Sequence, residues 1–470
     1  MDLPEGITAS GKFYIDVFAI KRNDVMLKIM LVSLGCDKNT ADSSKMLGIL
    51  SHRGYELTSD IEDADAAVVN TCCFIQSATE ESINMIFDLA GHKETGLKYL
   101  IVAGCMAERY KEEIAKDIPE VDAFIGTGSL EKVADVIDEL SSREEEQPIM
   151  CFDGDDTAFA AEGVERYHVI TERPFAEYLK IADGCDKRCT YCAIPNFKGR
   201  YKSVPMELII KEAEKLARDG VRELNLVAQE TTCYGMDLYK EKRLHILLRE
   251  LSKVEGIDWI RLLYCYPEEI YDELIDEMAS NPKVLHYVDM PIQHTESEVL
   301  RRMGRRIDKE GIFEVVKKLR AKIPDICIRT TLIAGFPGET EEQHKACLEA
   351  LDELEFDHLG VFSYSREEGT AAAEFPDQVD DEVKERYSNE IMELSAAISE
   401  DKNAELVGRE LDVIIEGYVP DDDCYVARSY RDAPDVDGLV YLKSERELIS
   451  GSILPVKLTK SDIYDFYAEL

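Results

Sequence analysis

Short apolar runs alternate with amphipathic stretches through two long parts of this chain, and that alternation restricts the fold more than any other feature. From 27 to 140, KIMLVSLG, AAVVNT, YLIVAG and AFIGTG read as strands, each followed by residues at helical spacing. From 177 to about 378 the pattern returns in EYLKIADG, ELNLVAQ, WIRLLYCY, LHYVDMPIQ, CIRTTLIAGF and HLGVFSYS. Alternation of this kind predicts parallel sheets with helical crossovers. The first series suits an open α/β domain, and the second a partial or full β/α barrel whose site lies at the carboxyl ends of its strands.

The period then changes. A charged helix over 379–404 leads to LDVIIEGYV, CYVARSY, GLVYLK, ILPVKLTKS and YDFYAEL, five short strands joined by turn-rich segments within 405–470. Five strands in so short a stretch predict a small all-β barrel of the OB-like kind. Residues 141–176 are acidic and carry little periodicity, so they read as a linker, with a hairpin as an option. Residues 1–26 stand outside these patterns as an amino-terminal extension, a tail or a misassigned start, with Met26 as the natural beginning.

At 470 residues the chain exceeds one ordinary core, in keeping with several domains. No apolar run approaches the roughly 18–20 residues of a membrane helix, and the start does not read as a signal peptide, so a cytoplasmic protein without membrane contact is expected. In that reducing setting the 13 cysteines are expected as metal ligands, reactive thiols or buried apolar residues rather than disulfides. The formal charge of −41 repels phosphate backbones and favours basic partners. From 405 on there are 15 acidic and 7 basic residues, a poor balance for nucleic acid and a better one for a basic protein.

Two cysteine sets carry the chemistry. Cys36, Cys72 and Cys105 each follow a predicted strand of the first series, about one βα unit apart. They therefore fall on the edge where open α/β sheets build sites, and a shared metal site is expected there, although any one of them alone would read as a buried apolar cysteine. Cys185, Cys189 and Cys192 lie within CDKRCTYC at the end of the first strand of the second series. A zinc site would need a fourth Cys or His close by, and a dithiol pair would leave Cys185 idle. A [4Fe-4S] cluster held by three thiolates would leave one iron open for a substrate.

CDKRCTYC resembles the C-x3-C-x-aromatic-C signature of the radical S-adenosylmethionine enzymes. The resemblance implies that the open iron takes the amino acid end of S-adenosylmethionine. It places Gln229, Glu230 and Thr231 of AQET at the methionine amino group, Gly335 and Pro337 of GFPGE beside the cofactor, and Tyr191 against cluster and adenine. With Cys36, Cys72 and Cys105 and the terminal barrel, the chain from 27 onward is similar to the methylthiotransferases. That likeness implies a flavodoxin- or Rossmann-like amino-terminal domain with an auxiliary [4Fe-4S] cluster, a radical barrel, and a carboxyl-terminal TRAM barrel. S-adenosylmethionine would then serve as methyl donor and as radical source, since an unactivated C–H bond lies beyond acid–base chemistry.

One branch of that family modifies tRNA adenosine; the other modifies an aspartate of ribosomal protein S-twelve. LNLVAQETTCYGMDLY, SLGCDKN, CAIPNFKGRYKSVP, WIRLLYCYP and FSYSREEGTAA resemble the second, and the acidic terminal barrel points the same way, so direct tRNA binding is not expected. The tRNA branch is the alternative, followed by a non-catalytic iron–sulfur or zinc adaptor of the ribosome. An electron donor such as a flavodoxin is implied, and the sulfur donor is left open. Asp37 stands where the family has Pro, Cys73 where it has Gly, and Glu230 where Asp is common. Cys72 matches the ligand position better than Cys73, because neighbouring side chains on an extended segment point oppositely. His294 suits a structural hydrogen bond as well as catalysis. Lys198, Arg200 and Lys202 read as a solvated basic turn, with steering of an acidic group such as the target aspartate as the alternative, and Cys151, Cys233, Cys265, Cys327, Cys347 and Cys424 as ordinary packing or surface cysteines.

Overall fold

The computed structural model describes residues 27–143, 147–152 and 173–470. The amino-terminal extension and most of the expected linker lie outside them. The chain divides into two bodies: the first takes residues through Lys187 together with Cys192–Glu212, the second Arg188–Tyr191 and Ala213–Leu470. No helix among the described residues is long and apolar enough to cross a membrane.

In the first body, β1 (Lys28–Ser33), β2 (Glu56–Leu57), β3 (Ala66–Thr71), β4 (Tyr99–Gly104), β5 (Ala123–Ile125) and β6 (Ile149–Cys151) form one parallel sheet in the order β2-β1-β3-β4-β5-β6. The strands are apolar on both faces because helices cover both. On one side Ile29, Leu31, Val68 and Ile101 pack with α1 (Asp37–Arg53) and α4 (Val133–Ser142). On the other Met30, Val32, Val69 and Val102 pack with α2 (Gln76–Gly91) and α3 (Cys105–Asp117). This doubly wound sheet is the expected open α/β domain. Two short strands were not foreseen. In particular β6 pairs with β5, so the segment read as linker begins inside α4 and completes the sheet before residue 152. Strand β7 (Ala176–Lys180) and the two-stranded β8 (Ala182–Asp183) and β9 (Lys202–Ser203) also belong to this body.

The second body holds five parallel strands in an open sheet: β10 (Glu223–Val227), β11 (Trp259–Leu262), β12 (Val284–Asp289), β13 (Cys327–Ala334) and β14 (His358–Ser363), each next to the one before. The β/α unit is therefore of the partial kind. The helix Asp381–Leu406 follows it. Strands β15 (Glu410–Val419), β16 (Cys424–Ser429), β17 (Val440–Leu442), β18 (Ile453–Ser461) and β19 (Phe466–Glu469) then close a barrel in the order β15-β16-β17-β19-β18. Val413, Ile415, Val440, Leu458 and Phe466 fill its interior.

Buried ions join this small barrel to the amino ends of the larger sheet. Arg428 of β16 donates to Glu223 of β10 at 2.6 Å, and Arg261 of β11 donates to the same carboxylate at 3.0 Å. Arg329 of β13 and Tyr287 of β12 both donate to Asp437, at 3.2 and 2.7 Å.

Candidate functional site

Each cysteine of the first set occupies the carboxyl end of a strand. Cys36 caps α1 just beyond β1, Cys72 directly follows β3, and Cys105 directly follows β4 and opens α3. Two glycines let these ends approach. At Gly35 (φ +90°) a Cβ would lie 2.5 Å from the Cβ and 2.8 Å from the Sγ of Cys72. At Gly104 (φ +91°) it would lie 2.3 Å from Asn70 Oδ1. Asn39, one turn into α1, donates to the carbonyls of Leu34 (2.8 Å) and Thr71 (3.0 Å), and its Oδ1 accepts from Cys105 Sγ at 3.9 Å. One amide thus touches all three cysteine-bearing segments.

Burial pushes the Cys72 thiol up to about 12, and nearby Cys36 adds to this. Burial likewise raises Cys105 to about 12, against the lowering influence of Lys198. The two buried thiols, Cys72 and Cys105, are costly to ionise one at a time, whereas a soft metal centre would deprotonate them together. The donor set fits a thiolate-ligated cluster. Cys73 faces elsewhere: it is fully buried in the apolar group with Met85 and Ile86, and its carbonyl accepts from Arg109 at 2.7 Å. Of the two neighbours, Cys72 is the one that lies against Gly35, next to Cys36.

In the second set, Cys185 and Cys189 are buried and Cys192 is partly buried. Cys185 donates its amide to the carbonyl of Gly199 (3.2 Å) within the first body. Within the second body, Cys189 Sγ lies 3.8 Å from the Tyr266 hydroxyl, and Thr190 is tied by its amide to Met303 and by its hydroxyl to Arg302. Tyr191 packs against the group of Val299, Met303, Phe336 and Tyr364. No disulfide joins any of the 13 cysteines, all of them described.

The remaining predicted residues sit at strand ends of the second body. Gln229, Glu230 and Thr231 follow β10 and are buried. Thr231 donates its hydroxyl to Leu263 O at 2.6 Å, and Glu230 accepts from the Thr232 amide at 2.9 Å. Gly335 follows β13 at φ +70°, and the carbonyl of Pro337 accepts from Arg302 at 3.1 Å. Tyr264 and Gln293, at the ends of β11 and β12, also adopt left-handed backbone (φ +58° and +70°), a strain that collects at sites.

Sequence reasoning missed what supports these turns. Glu339 accepts from the amides of Gly335 (2.7 Å) and Phe336 (3.1 Å), with His294 Nε2 at 3.2 Å. His294 is thus buried beside the GFPGE turn, its Nδ1 accepting from the Glu296 amide at 2.9 Å. Lys198 was read as part of a solvated turn, but it is buried among carboxylates; Arg200 alone of that trio is mostly exposed. Its charge pattern on a surface-like sequence gave no sign of this, since the carboxylates come from distant elements. Glu230, Cys233 and Glu269 also bring one ligand atom each within 4.8 Å of one another, although Cys233 had no ligand spacing.

Known families match the chain in three stretches. Residues 28–126 match the Uncharacterized protein family UPF0004, residues 179–351 the Radical SAM superfamily, and residues 407–470 the TRAM domain. Among solved structures, the radical S-adenosylmethionine methyltransferase TsrM from Kitasatospora setae shares the fold at 16% identity, with a TM-score of 0.54 over 72% of this chain and 73% of that one. The ribosomal protein uS12 methylthiotransferase RimO of Lachnoclostridium phytofermentans is 49% identical over 93% of this chain and 99% of its own length. Those of Acetivibrio thermocellus and Thermoanaerobacter sp. are 47% and 44% identical over 94% of this chain, covering 98% and 100% of theirs. Likeness at this level across nearly the whole of both chains shows the family: the chain belongs to the radical S-adenosylmethionine methylthiotransferases, in the ribosomal protein uS12 methylthiotransferase RimO family.

Proposed function

We propose that this enzyme methylthiolates the β-carbon of an aspartate in ribosomal protein uS12. The observation that carries the reading is the near-full-length identity of 44–49% to relatives so named. The tRNA branch is not favoured by those relatives, and its terminal barrel would have to contact phosphates with an acidic surface. Arg428 and Arg431 are buried in ion pairs with Glu223 and Asp357, and Asp432 and Asp437 are buried too, so the acidic excess of that barrel lies on its exposed residues. Membership in an enzyme family sets the adaptor reading aside.

In this reading Cys185, Cys189 and Cys192 hold one [4Fe-4S] cluster and Cys36, Cys72 and Cys105 a second. Together with S-adenosylmethionine they supply reductive radical chemistry, a methyl group and a site that carries sulfur. The chain's own residues prepare this. Asn39, Gly35 and Gly104 draw the first three thiols together. Glu339 fixes the Gly335 turn and Thr231 the Gln229 turn, the two surfaces assigned to S-adenosylmethionine. Tyr191, packed against the apolar group of Val299, Met303, Phe336 and Tyr364, presents a ring for the adenine and keeps water from that side. A flavodoxin-type protein would deliver electrons, and the enzyme would work in the cytoplasm, where its substrate is made.

Anaerobic reconstitution tests both parts. The reading expects about eight irons per chain, reductive cleavage of S-adenosylmethionine, and a methylthio mass gain on uS12 with tRNA unchanged. A gain on tRNA with uS12 unmodified would sink it. Changing Cys185, Cys189 and Cys192 to Ala should abolish cleavage, whereas changing Cys36, Cys72 and Cys105 should spare cleavage and stop sulfur transfer.

A further inference from the structure

Four charged side chains from three separate segments of the first body meet, three of them almost wholly buried and Asp183 largely so. Lys180, the last residue of β7, lies 2.5 Å from Asp42 of α1 and 2.8 Å from Asp183 of β8. Lys198 lies 3.6 Å from each of the same two carboxylates. The side chains of Lys180, Asp42 and Lys198 are 0, 2 and 5% exposed, and that of Asp183 is 16%. Burying four ions costs several kcal/mol each before pairing, so a packing role alone would be met more cheaply by apolar residues.

The position of the group indicates what it serves. Asp42 sits on α1, whose cap is Cys36. Lys198 directly follows Phe197, which packs in one apolar group with Cys105. Burial itself pushes the Lys198 ammonium toward neutrality, but Asp183, then Cys105, Asp42 and Cys36 outweigh this and hold it well above the ordinary lysine range. It is therefore a buried cation, paired with a carboxylate of the helix that Cys36 caps and next in sequence to a residue packed with Cys105. The quartet is neutral as it stands, two ammonium groups against two carboxylates. A cluster held by three thiolates adds net negative charge beside it, and more when reduced.

We propose that Lys198, held by Asp42, Asp183 and Lys180, is a charge-setting residue for the auxiliary cluster, stabilising its more negative, reduced state and so raising its reduction potential. This rests on the reading that Cys36, Cys72 and Cys105 hold a cluster. Asp42, Asp183 and Lys180 are positioning residues, since they act on the cluster through Lys198. Neither the signature of the second cysteine set nor the fold requires such a cation.

The test isolates the auxiliary cluster in the full chain by changing Cys185, Cys189 and Cys192 to Ala, then follows its EPR signal in a redox titration. Lys198→Met should shift the midpoint to more negative potential by at least a tenfold change in the redox equilibrium, about 59 mV for one electron. Lys198→Arg, which keeps the charge, should stay near the parent value. Asp42→Asn, which removes a carboxylate, should shift it in the opposite direction. An unchanged midpoint in Lys198→Met, or an equal shift in Lys198→Arg, would overturn the proposal by showing that packing and not charge is what matters. Should Lys198→Met fail to hold a cluster, the sign of the Asp42→Asn shift decides, and no positive shift there overturns it. If the parent of the series, with Lys198 intact, binds no iron at all, the failure lies with the two-cluster reading.

Discussion

Glu339 gathers four groups around one carboxylate. It accepts the amides of Gly335 and Phe336, lies 3.2 Å from His294, and has His344 at 3.7 Å, which in turn reaches Glu390 at 2.7 Å and stacks on Tyr387. Gly335 could not be replaced, because a Cβ there would meet Lys384 Cγ at 2.3 Å, so the turn depends on hydrogen bonds rather than side-chain packing. Burial alone would raise the Glu339 carboxyl, but His294, His344 and the Gly335 amide outweigh it and lower it to about 2. A depressed carboxyl contributes stability that is complete above its unfolded value of about 4.5 and is lost as pH falls toward 2. Glu339→Gln should therefore cost on the order of 2 kcal/mol at neutral pH and flatten the acid limb of the thermal midpoint between about pH 4.5 and 2. It should also weaken S-adenosylmethionine binding more than it slows cleavage at saturation. A variant whose midpoint follows pH as the parent does would show that the carboxylate is not ionised in the fold.

At the scale of the element, the strand ends matter most. Strands β1, β3 and β4 are neighbours in the sheet with registers in line, Ile29 opposite Ala66 and Ala66 opposite Tyr99, so their carboxyl ends finish side by side. That is why three cysteines spaced far apart in the chain come together. Gly35→Ala should disrupt this most sharply, since it adds left-handed strain of roughly 1–2 kcal/mol and drives a methyl into Cys72. The expected outcome is about half the iron of the parent, with S-adenosylmethionine cleavage retained; full iron content would show that the strand end yields instead. The strands themselves were legible because hydrophobic period is a local property, and each cysteine's place at a strand end followed from it. The two-residue β2 and three-residue β6 were not, because runs so short carry no period and form only by adding to a sheet edge. The Lys198 quartet and the His294–Glu339 contact were hidden for a related reason. Lys198 and Asp42 lie 156 residues apart and His294 and Glu339 45, and a lysine that pairs inside a fold is spelled like one in water.

Across the whole molecule, charge is arranged in two ways that make opposite demands. Inside the second body, Glu223 accepts from Arg428 and Arg261; burial would raise its carboxyl, but Arg428 and then Arg261 hold it below the usual range. Glu223→Gln leaves two buried guanidinium groups without that anion and should cost about 3–5 kcal/mol in the unfolding of the second body. Outside, the excess of 96 acidic over 55 basic residues leaves a field that extends into solvent. Such a field speeds encounter with a basic partner and is screened by salt, with a Debye length of about 10 Å at 0.1 M. Encounter with uS12 should therefore dominate kcat/KM, which should fall on the order of tenfold between about 0.05 and 0.5 M salt, while kcat at saturating uS12 changes little. Polylysine should compete with uS12 and tRNA should not, because only the former is attracted to the exposed acidic face of the terminal barrel. Cleavage of S-adenosylmethionine without uS12 serves as the control, since it involves no macromolecular encounter and should be indifferent to salt over the same range. Inhibition by tRNA that grows as salt is lowered would show a basic binding surface and return the tRNA substrate to consideration.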